Sequence, residues 1–354
     1  MEGLAVGVVA MANFANCVTG RFVYDDHVAI LKNKVVTGEQ PWGDLWTADY
    51  WGDPLTDARS HKSWRPVTSL TFRLNYLWSE RISGRQDPTG YHIVNIAAHA
   101  IASVLCFFVS LECFRLNRVR VWSSGDRAEE KVDGGQGRRR GGAKEEEEEE
   151  ECEIVCRNMA MMSAVSFATH PVHTEAVDNI VCRAEVLMST FFFGGFLVYL
   201  QAKSTPTPGP SKPHPIPSNM IKTLRPGLAR EALALTGLCV CSLLAVLCKE
   251  TGVVLPLICI VFEILVVISS TAPEDGPSRQ DGHYPKDGHC RKRQQAQKGN
   301  GSATSGGEIR RTVILLIWTV SLTLWRRSKN GLSLCSLFLD LIDPSVTHPS
   351  TPFV

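Results

Sequence analysis

Phe22-Val23-Tyr24-Asp25-Asp26 opens, and Ser60-His61-Lys62-Ser63-Trp64-Arg65-Pro66 closes, a polar, tryptophan-rich stretch lying between two apolar segments. Adjacent carboxylates just outside an apolar segment repel each other, and neither gains from burial. Packing explains such a pair poorly; chemistry explains it better. The reading of this stretch as an extramembrane loop sets the reading of everything around it.

Working outward, the averages conceal the pattern. Across 354 residues 44% are apolar and the formal net charge is +1, which gives no expectation of a nucleic-acid partner. The apolar residues fall in blocks, and a bilayer core needs about 20 per helix. Spans are expected at about 3–19, 91–114, 156–169, 185–201, 231–248, 252–270 and 312–325. The third is short, which implies a thin or tilted span with Arg157 snorkelling to the interface, or a re-entrant piece. Met1-Glu2-Gly3 supplies no Lys or Arg for the positive start of a signal peptide, so the first block reads as a signal anchor.

Charge assigns the sides. Threading the blocks alternately puts 115–152, 202–230 and 271–311 together, with nine, five and eight Lys plus Arg, against only Arg183 in the connection from 170 to 184. By the positive-inside rule the three are cytosolic, and the loop at 20–90 is luminal. All three cytosolic stretches read as disordered. The first carries Arg138-Arg139-Arg140 and then the run Glu145 to Glu151, the second is Pro-rich around 204–218, and the third is rich in Gly, Ser, Asp and Lys. Asn300-Gly301-Ser302 matches a glycosylation acceptor but is expected to stay unmodified on the cytosolic side.

Of twelve cysteines, seven lie in or beside apolar blocks as small hydrophobes, and the luminal loop has none. Cys152 and Cys156 lack the second pair that a zinc site needs. Within the loop, Trp42, Leu45, Trp46, Asp49 and Tyr50 recur at helical spacing, and after Pro66 the residues Val67, Leu70, Leu74, Leu77 and Trp78 share a face. Two short helices lying in the headgroup region are expected to bracket the acidic pair. No repeat of about 34 residues is visible.

Polar residues gather at the luminal ends of the blocks: Asp25-Asp26; His92, Asn95 and His99; His170-Pro171-Val172-His173-Thr174-Glu175 with Arg183-Ala184-Glu185; and Lys249-Glu250. Each alone has a structural reading as a cap, a core histidine or a helix-end charge. Their convergence on one side of a membrane points to a site, because ionisable groups at that depth are costly. Moving a sugar from a lipid phosphate to a hydroxyl needs a carboxylate to take the proton and cations to stabilise the departing phosphate. Asp25 or Asp26 suits the first role, and Arg183 and Lys249 suit the second. Repulsion within the pair raises the pKa of one aspartate. The order of His170, His173 and Glu175 departs from that of zinc proteases, and the proline fits a helix-ending turn, so no metal is expected.

Seven motifs in order, Phe22 to Asp26, Tyr50-Trp51-Gly52 with Ser60 to Pro66, Leu70 to Tyr76, Tyr91 to Asn95, His170 to Val177, Arg183 to Glu185 and Cys248 to Gly252, resemble the transmembrane and tetratricopeptide-repeat (TMTC) proteins over about 15–110, 158–201 and 235–268. The resemblance implies an all-α, multi-pass GT-C-type glycosyltransferase fold, here its N-terminal part, with a long luminal first loop in the endoplasmic reticulum membrane. It implies protein O-mannosyltransferase activity, with dolichyl phosphate mannose as donor substrate, no further cofactor, and Ser or Thr of secretory-pathway proteins, cadherins foremost, as acceptor. Asp25 and Asp26 match the family's acidic motif. Donor phosphate or sugar contacts are expected of Arg183, Lys249, His170, His173, Glu175, Glu185 and Glu250, and loop support of His61, Lys62, Arg65 and His92.

The tail at 326–354 departs from the family pattern, and the family's repeats are not visible. Two rival functions follow: a truncated, non-catalytic membrane adaptor, or a divalent-metal transporter using His92, His99, His170, His173 and Glu175.

Overall fold

The computed structural model describes residues 1–129, 142–204, 226–271 and 290–329. Every regular element among them is helical; the only extended pairing is one isolated bridge between Ala48 and Pro54. Three helical stretches are long and apolar enough to cross a membrane, Thr89–Asn117, Ile180–Lys203 and Ala229–Cys248, with a shorter apolar helix at Glu2–Asn13. The chain divides into two compact units: Met1–Gly252 together with Arg326–Val354, and Val253–Trp325.

In the first unit, α4 (Thr89–Glu129) packs against α1 (Glu2–Asn13), α5 (Gly142–Ala168) and α7 (Arg183–Ser204), and α7 packs against α8 (Pro226–Cys248). Small residues make the close approach possible. Cys156, Ala160, Ala164 and Ala168 recur every four residues on α5 and are buried with Val6 and Ala10 of α1 and Ala100, Phe107 and Leu111 of α4. On α1, a Cβ at Gly7 would lie 3.2 Å from Val104, so a larger residue there would push the helices apart.

Of the stretches expected as disordered, the described parts are helical, and 272–289 of the third lies outside the described residues. Helix α4 continues to Glu129, and α5 begins at Gly142, so the glutamate run lies on a helix; residues 130–141 lie outside the described part. The physical reason is that Glu, Lys and Arg are strong helix formers and can pair across helices. Arg115 of α4 bonds Glu112 and Glu153, and Arg157 bonds Glu153 of its own helix. The Pro-rich expectation falls mostly on 205–225, outside the described residues.

The second unit holds α9 (Val254–Thr271) and the part of α10 (Cys290–Lys329) that ends at Trp325. The backbone of Asn300-Gly301-Ser302 lies on α10. Glu263, 1% exposed on α9, accepts a 2.9 Å bond from Arg311 Nε, which satisfies a buried carboxylate between these two helices.

The loop at 20–90 is folded. Asn33 caps α2 (Lys34–Thr37) by accepting from Val35 and Val36 N–H at 3.0 and 3.3 Å, while its amide donates to Ala29 and Tyr50 carbonyls. Gly52 sits at φ +95°, and any Cβ there would meet Asn33 Oδ1 at 2.6 Å. Helix α3 (Pro66–Ser83) starts with proline at its first turn and ends at Gly84 in the left-handed conformation, whose N–H bonds Glu80 carbonyl at 3.0 Å. Leu74, Leu77, Trp78 and Ile82 form its exposed apolar face. The Trp42 to Tyr50 stretch is not the expected helix. A 3₁₀ turn ends at Trp46, and Asp49 is then drawn inward to hold the next turn.

Candidate active site

The acidic pair is split by its surroundings. Asp25 is exposed, whereas Asp26 is 0% exposed. Asp26 Oδ2 accepts from Val23 N–H at 2.8 Å and its Oδ1 from Val181 N–H at 3.2 Å. Burial pushes the Asp26 carboxyl above the ordinary aspartate range, with these two N–H donors pulling the other way. Immediately before the pair, Tyr24 takes φ +41°, a left-handed conformation uncommon outside glycine.

The stretch Val181 to Glu185 is the hub of the site. Val181 offers its N–H to Asp26 and its carbonyl to the Tyr50 hydroxyl. Arg183 is 0% exposed and donates through Nε to Asn95 Oδ1 at 2.7 Å, through Nη1 to Asn75 Oδ1 at 2.6 Å and Thr71 Oγ1 at 3.3 Å, and through Nη2 to Tyr91 carbonyl at 3.0 Å. Its guanidinium lies 4.6 Å from the Phe72 ring centroid. Neutral acceptors and an aromatic face thus enclose this cation, which joins α3, α4 and α7. Asn95 completes the node by donating to the carbonyls of Val177, Asn179 and Ile180.

Two residues beyond Arg183, Glu185 pairs with Lys249. The neighbouring Glu250 is shared: Arg65 Nη2 reaches its Oε2 at 3.1 Å and Arg326 Nη2 its Oε1 at 3.0 Å. Burial alone would raise the Glu250 carboxyl, but Arg65 and Arg326 outweigh it and hold it below the ordinary glutamate range. Arg65 also lies over the Tyr50 ring at 5.0 Å. The group Arg65, Lys249 and Arg326 against Glu185 and Glu250 leaves an excess of one positive charge, suited to an anion. Close approach is built into Lys249 to Gly252, since a Cβ on Gly252 would lie 2.6 Å from the Val246 nitrogen of α8.

The loop residues act through backbone geometry. Asp49 accepts from the N–H groups of Trp51, Asp53 and His61 and from Ser60 Oγ at 2.6 Å. His61 is held here by its N–H, and its ring is exposed 6.0 Å from that of Trp51. Lys62, at φ +58°, donates Nζ to the carbonyls of Leu55 at 2.5 Å and Asp57 at 2.8 Å. His92 is 3% exposed; neither ring nitrogen has a partner among the described residues, and a Cβ at Gly20 would lie 2.6 Å from its Nε2.

The histidines form a separate aromatic cluster. His99 bonds Ala168 carbonyl through Nε2 at 3.1 Å and lies 5.1 Å from His173, which packs 4.5 Å from Phe167. Burial, with His99 and His170 nearby, lowers the His173 pKa to about 4. His170 is exposed and its Nδ1 accepts from Val172 N–H at 3.2 Å; Glu175 is exposed and accepts from Asn179 at 3.0 Å. Among the described residues no three His, Cys, Asp or Glu side chains are grouped so that they could hold a metal ion.

The sequence places Asp49 and Tyr50 only in a helical spacing, with Tyr50 also in a family motif, and does not single out Asn33 or Arg326. Asp49 had a usable signal, an aspartate three residues before a glycine in a turn-rich stretch. Arg326 had none.

No family model matches the chain, and no solved structure matches it. Human protein O-mannosyl-transferase TMTC4 is 38% identical over 199 residues, 56% of this chain and 23% of that protein. Human protein O-mannosyl-transferase TMTC3 is 34% identical over 271 residues, 76% of this chain and 22% of that protein. Drosophila melanogaster protein O-mannosyl-transferase Tmtc2 is 30% identical over 257 residues, 73% of this chain and 21% of that protein. The chain thus spans 21–23% of the length of these relatives.

Proposed function

We propose that this chain, which belongs to the TMTC family, carries the membrane-embedded transfer site of a protein O-mannosyltransferase with a GT-C-type fold. The donor is dolichyl phosphate mannose, the acceptor is a Ser or Thr hydroxyl of a secretory-pathway protein such as a cadherin, and the membrane is that of the endoplasmic reticulum, with the 20–90 loop in the lumen. The names of the relatives support the reaction class.

The observation that carries the reading is the split acidic pair. A general base must reach its substrate. Asp26 has both oxygens on backbone N–H groups and no exposure, whereas Asp25 stands exposed on the turn that Asp26 anchors. In this mechanism Asp25 takes the proton of the acceptor hydroxyl as that hydroxyl's oxygen bonds mannose C1. The C1–O bond to the lipid phosphate breaks, and its electron pair leaves with the phosphate. Asp26 is a positioning residue. Lys249 and Arg65, in a group that with Arg326 carries one positive charge more than Glu185 and Glu250 neutralise, receive the phosphate. Arg183 contributes by fixing the hub, since it is 0% exposed and four of its five N–H donors are bonded within it. The exposed apolar face of α3 lies in the headgroup layer beside the site.

The test is mannose transfer from dolichyl phosphate mannose to a cadherin-domain acceptor, in membranes holding the chain or its Asp25→Asn or Asp26→Asn variant. Transfer lost in Asp25→Asn with insertion intact supports the assignment. Undiminished transfer by Asp25→Asn removes it as the base, and absence of transfer from the unaltered chain favours the adaptor.

A further inference from the structure

Two residues of the 20–90 loop take a left-handed backbone without being glycine, Tyr24 at φ +41° and Lys62 at φ +58°. Such conformations cost energy for a side chain with a Cβ and persist where the surroundings or a function hold them. For Lys62 the offset is visible: its ammonium closes the loop by bonding the carbonyls of Leu55 and Asp57. Tyr24 has no comparable offset, because its side chain is left 92% exposed.

The turn itself does not require a tyrosine. Its bonds are main-chain or come from Asp26: Asp26 N–H to Val23 carbonyl at 2.9 Å, His27 N–H to Tyr24 carbonyl at 3.2 Å, and Val23 N–H to Asp26 Oδ2 at 2.8 Å. Glycine would make each of them, and so would asparagine, which tolerates this region. The fold is therefore served at least as well by a smaller residue, and the ring is there for something outside the described chain.

From this we infer that Tyr24 seats the acceptor polypeptide, stacking on it beside Asp25. This rests on the transfer reading above. The ring adjoins the exposed carboxylate that meets the acceptor hydroxyl, and Val23 and Val28, exposed at 46% each, give the same turn an apolar fringe. Aromatic and aliphatic surface next to one charge suits a peptide chain. Burial in the bilayer is disfavoured by the adjoining Asp25 charge. Tyrosine is also economical as a binding surface, since only two side-chain torsions are frozen on contact.

The experiment compares full-length Tyr24→Gly, Tyr24→Asn and Tyr24→Phe in membranes, measuring KM separately for a Thr-containing cadherin peptide and for dolichyl phosphate mannose, with the melting temperature in detergent alongside. Gly and Asn are expected to raise the peptide KM about tenfold, the size of one lost aromatic contact. Donor KM stays constant, the melting temperature does not fall, and Phe recovers most of the loss. An unchanged peptide KM, a shift in donor KM instead, lower melting in Tyr24→Gly, or altered partition into vesicles as the sole effect would each overturn the inference.

Should the unaltered chain transfer nothing, direct binding of the fluorescein-labelled peptide separates the two readings. Binding that Tyr24→Gly loses and Tyr24→Phe keeps upholds the seat while the catalytic reading fails. No binding by the unaltered chain overturns both.

Discussion

The carboxylate of Asp26 accepts the backbone N–H of Val181 across 155 positions of sequence, at 3.2 Å. Its other oxygen closes the local turn on Val23 at 2.8 Å. One buried side chain thus fixes both the shape of the acidic turn and its height against the start of α7. Asp25 has no such task, so the two aspartates should separate in any measurement that distinguishes folding from chemistry.

Asp26→Asn replaces an acceptor-only group with one that has a single acceptor oxygen facing two N–H donors, leaving one of them unsatisfied. A loss of about 1–3 kcal/mol is expected. Asp25→Asn, on the exposed side, should change stability by less than about 0.5 kcal/mol. Thermal unfolding in detergent reads both, and an equal loss from the two variants would contradict the division of roles.

Arg183 bonds four side-chain or backbone oxygens and stacks on Phe72. Arg183→Ala strands the amide oxygens of Asn75 and Asn95 and the Tyr91 carbonyl, a loss of roughly 3 kcal/mol or more. Lysine lacks the planar fork and should rescue little. Fluorescence-detected size-exclusion chromatography after mild heating is the check: a stable, inactive Arg183→Lys would instead mean that the cation serves substrate.

Much of this was legible before the fold was known. Apolar block length marked the helices, because a bilayer imposes it, and ionisable residues at block ends marked the candidate site, because depth penalises them. What periodicity could not reveal was direction. Arg183 reads as a free cation in sequence, yet Asn75, Asn95, Thr71 and Tyr91, from two other helices, enclose it. Asp49 and Tyr50 fit a helical spacing in the string, but Asp49 satisfies four donors in a turn and a helix would strand them. The shared Glu250 depends on Arg326, far along the chain, and no local pattern announces it.

Glu250 supplies a test by acid. Arg65 and Arg326 hold its carboxyl below the ordinary value of 4.5. A carboxylate with a depressed folded pKa contributes stability that is present above the unfolded pKa and lost as pH falls through the folded one. Glu250→Gln should therefore melt below the unaltered protein at neutral pH, with the gap closing only below about pH 4.5. A gap independent of pH from 3 to 7 would mean that the two arginines do not depend on this charge.

His173 gives a second window at higher pH. Burial, reinforced by His99 and His170, lowers its pKa from 6.5 to about 4, so the folded protein holds the ring neutral where the unfolded chain would already protonate it. The sign follows from linkage: its contribution is complete above 6.5 and declines as pH falls toward 4. His173→Phe keeps an aromatic ring against Phe167 and His99 and removes the proton site. The melting temperature of the variant should stay flatter than that of the unaltered protein between pH 6.5 and 4. Because Glu250 acts mainly below this range, Glu250→Gln should leave the decline in place, and the double variant should lose both. Parallel curves for His173→Phe and the unaltered protein across the window would show that the ring is protonated in the folded state and that the cluster is open to water.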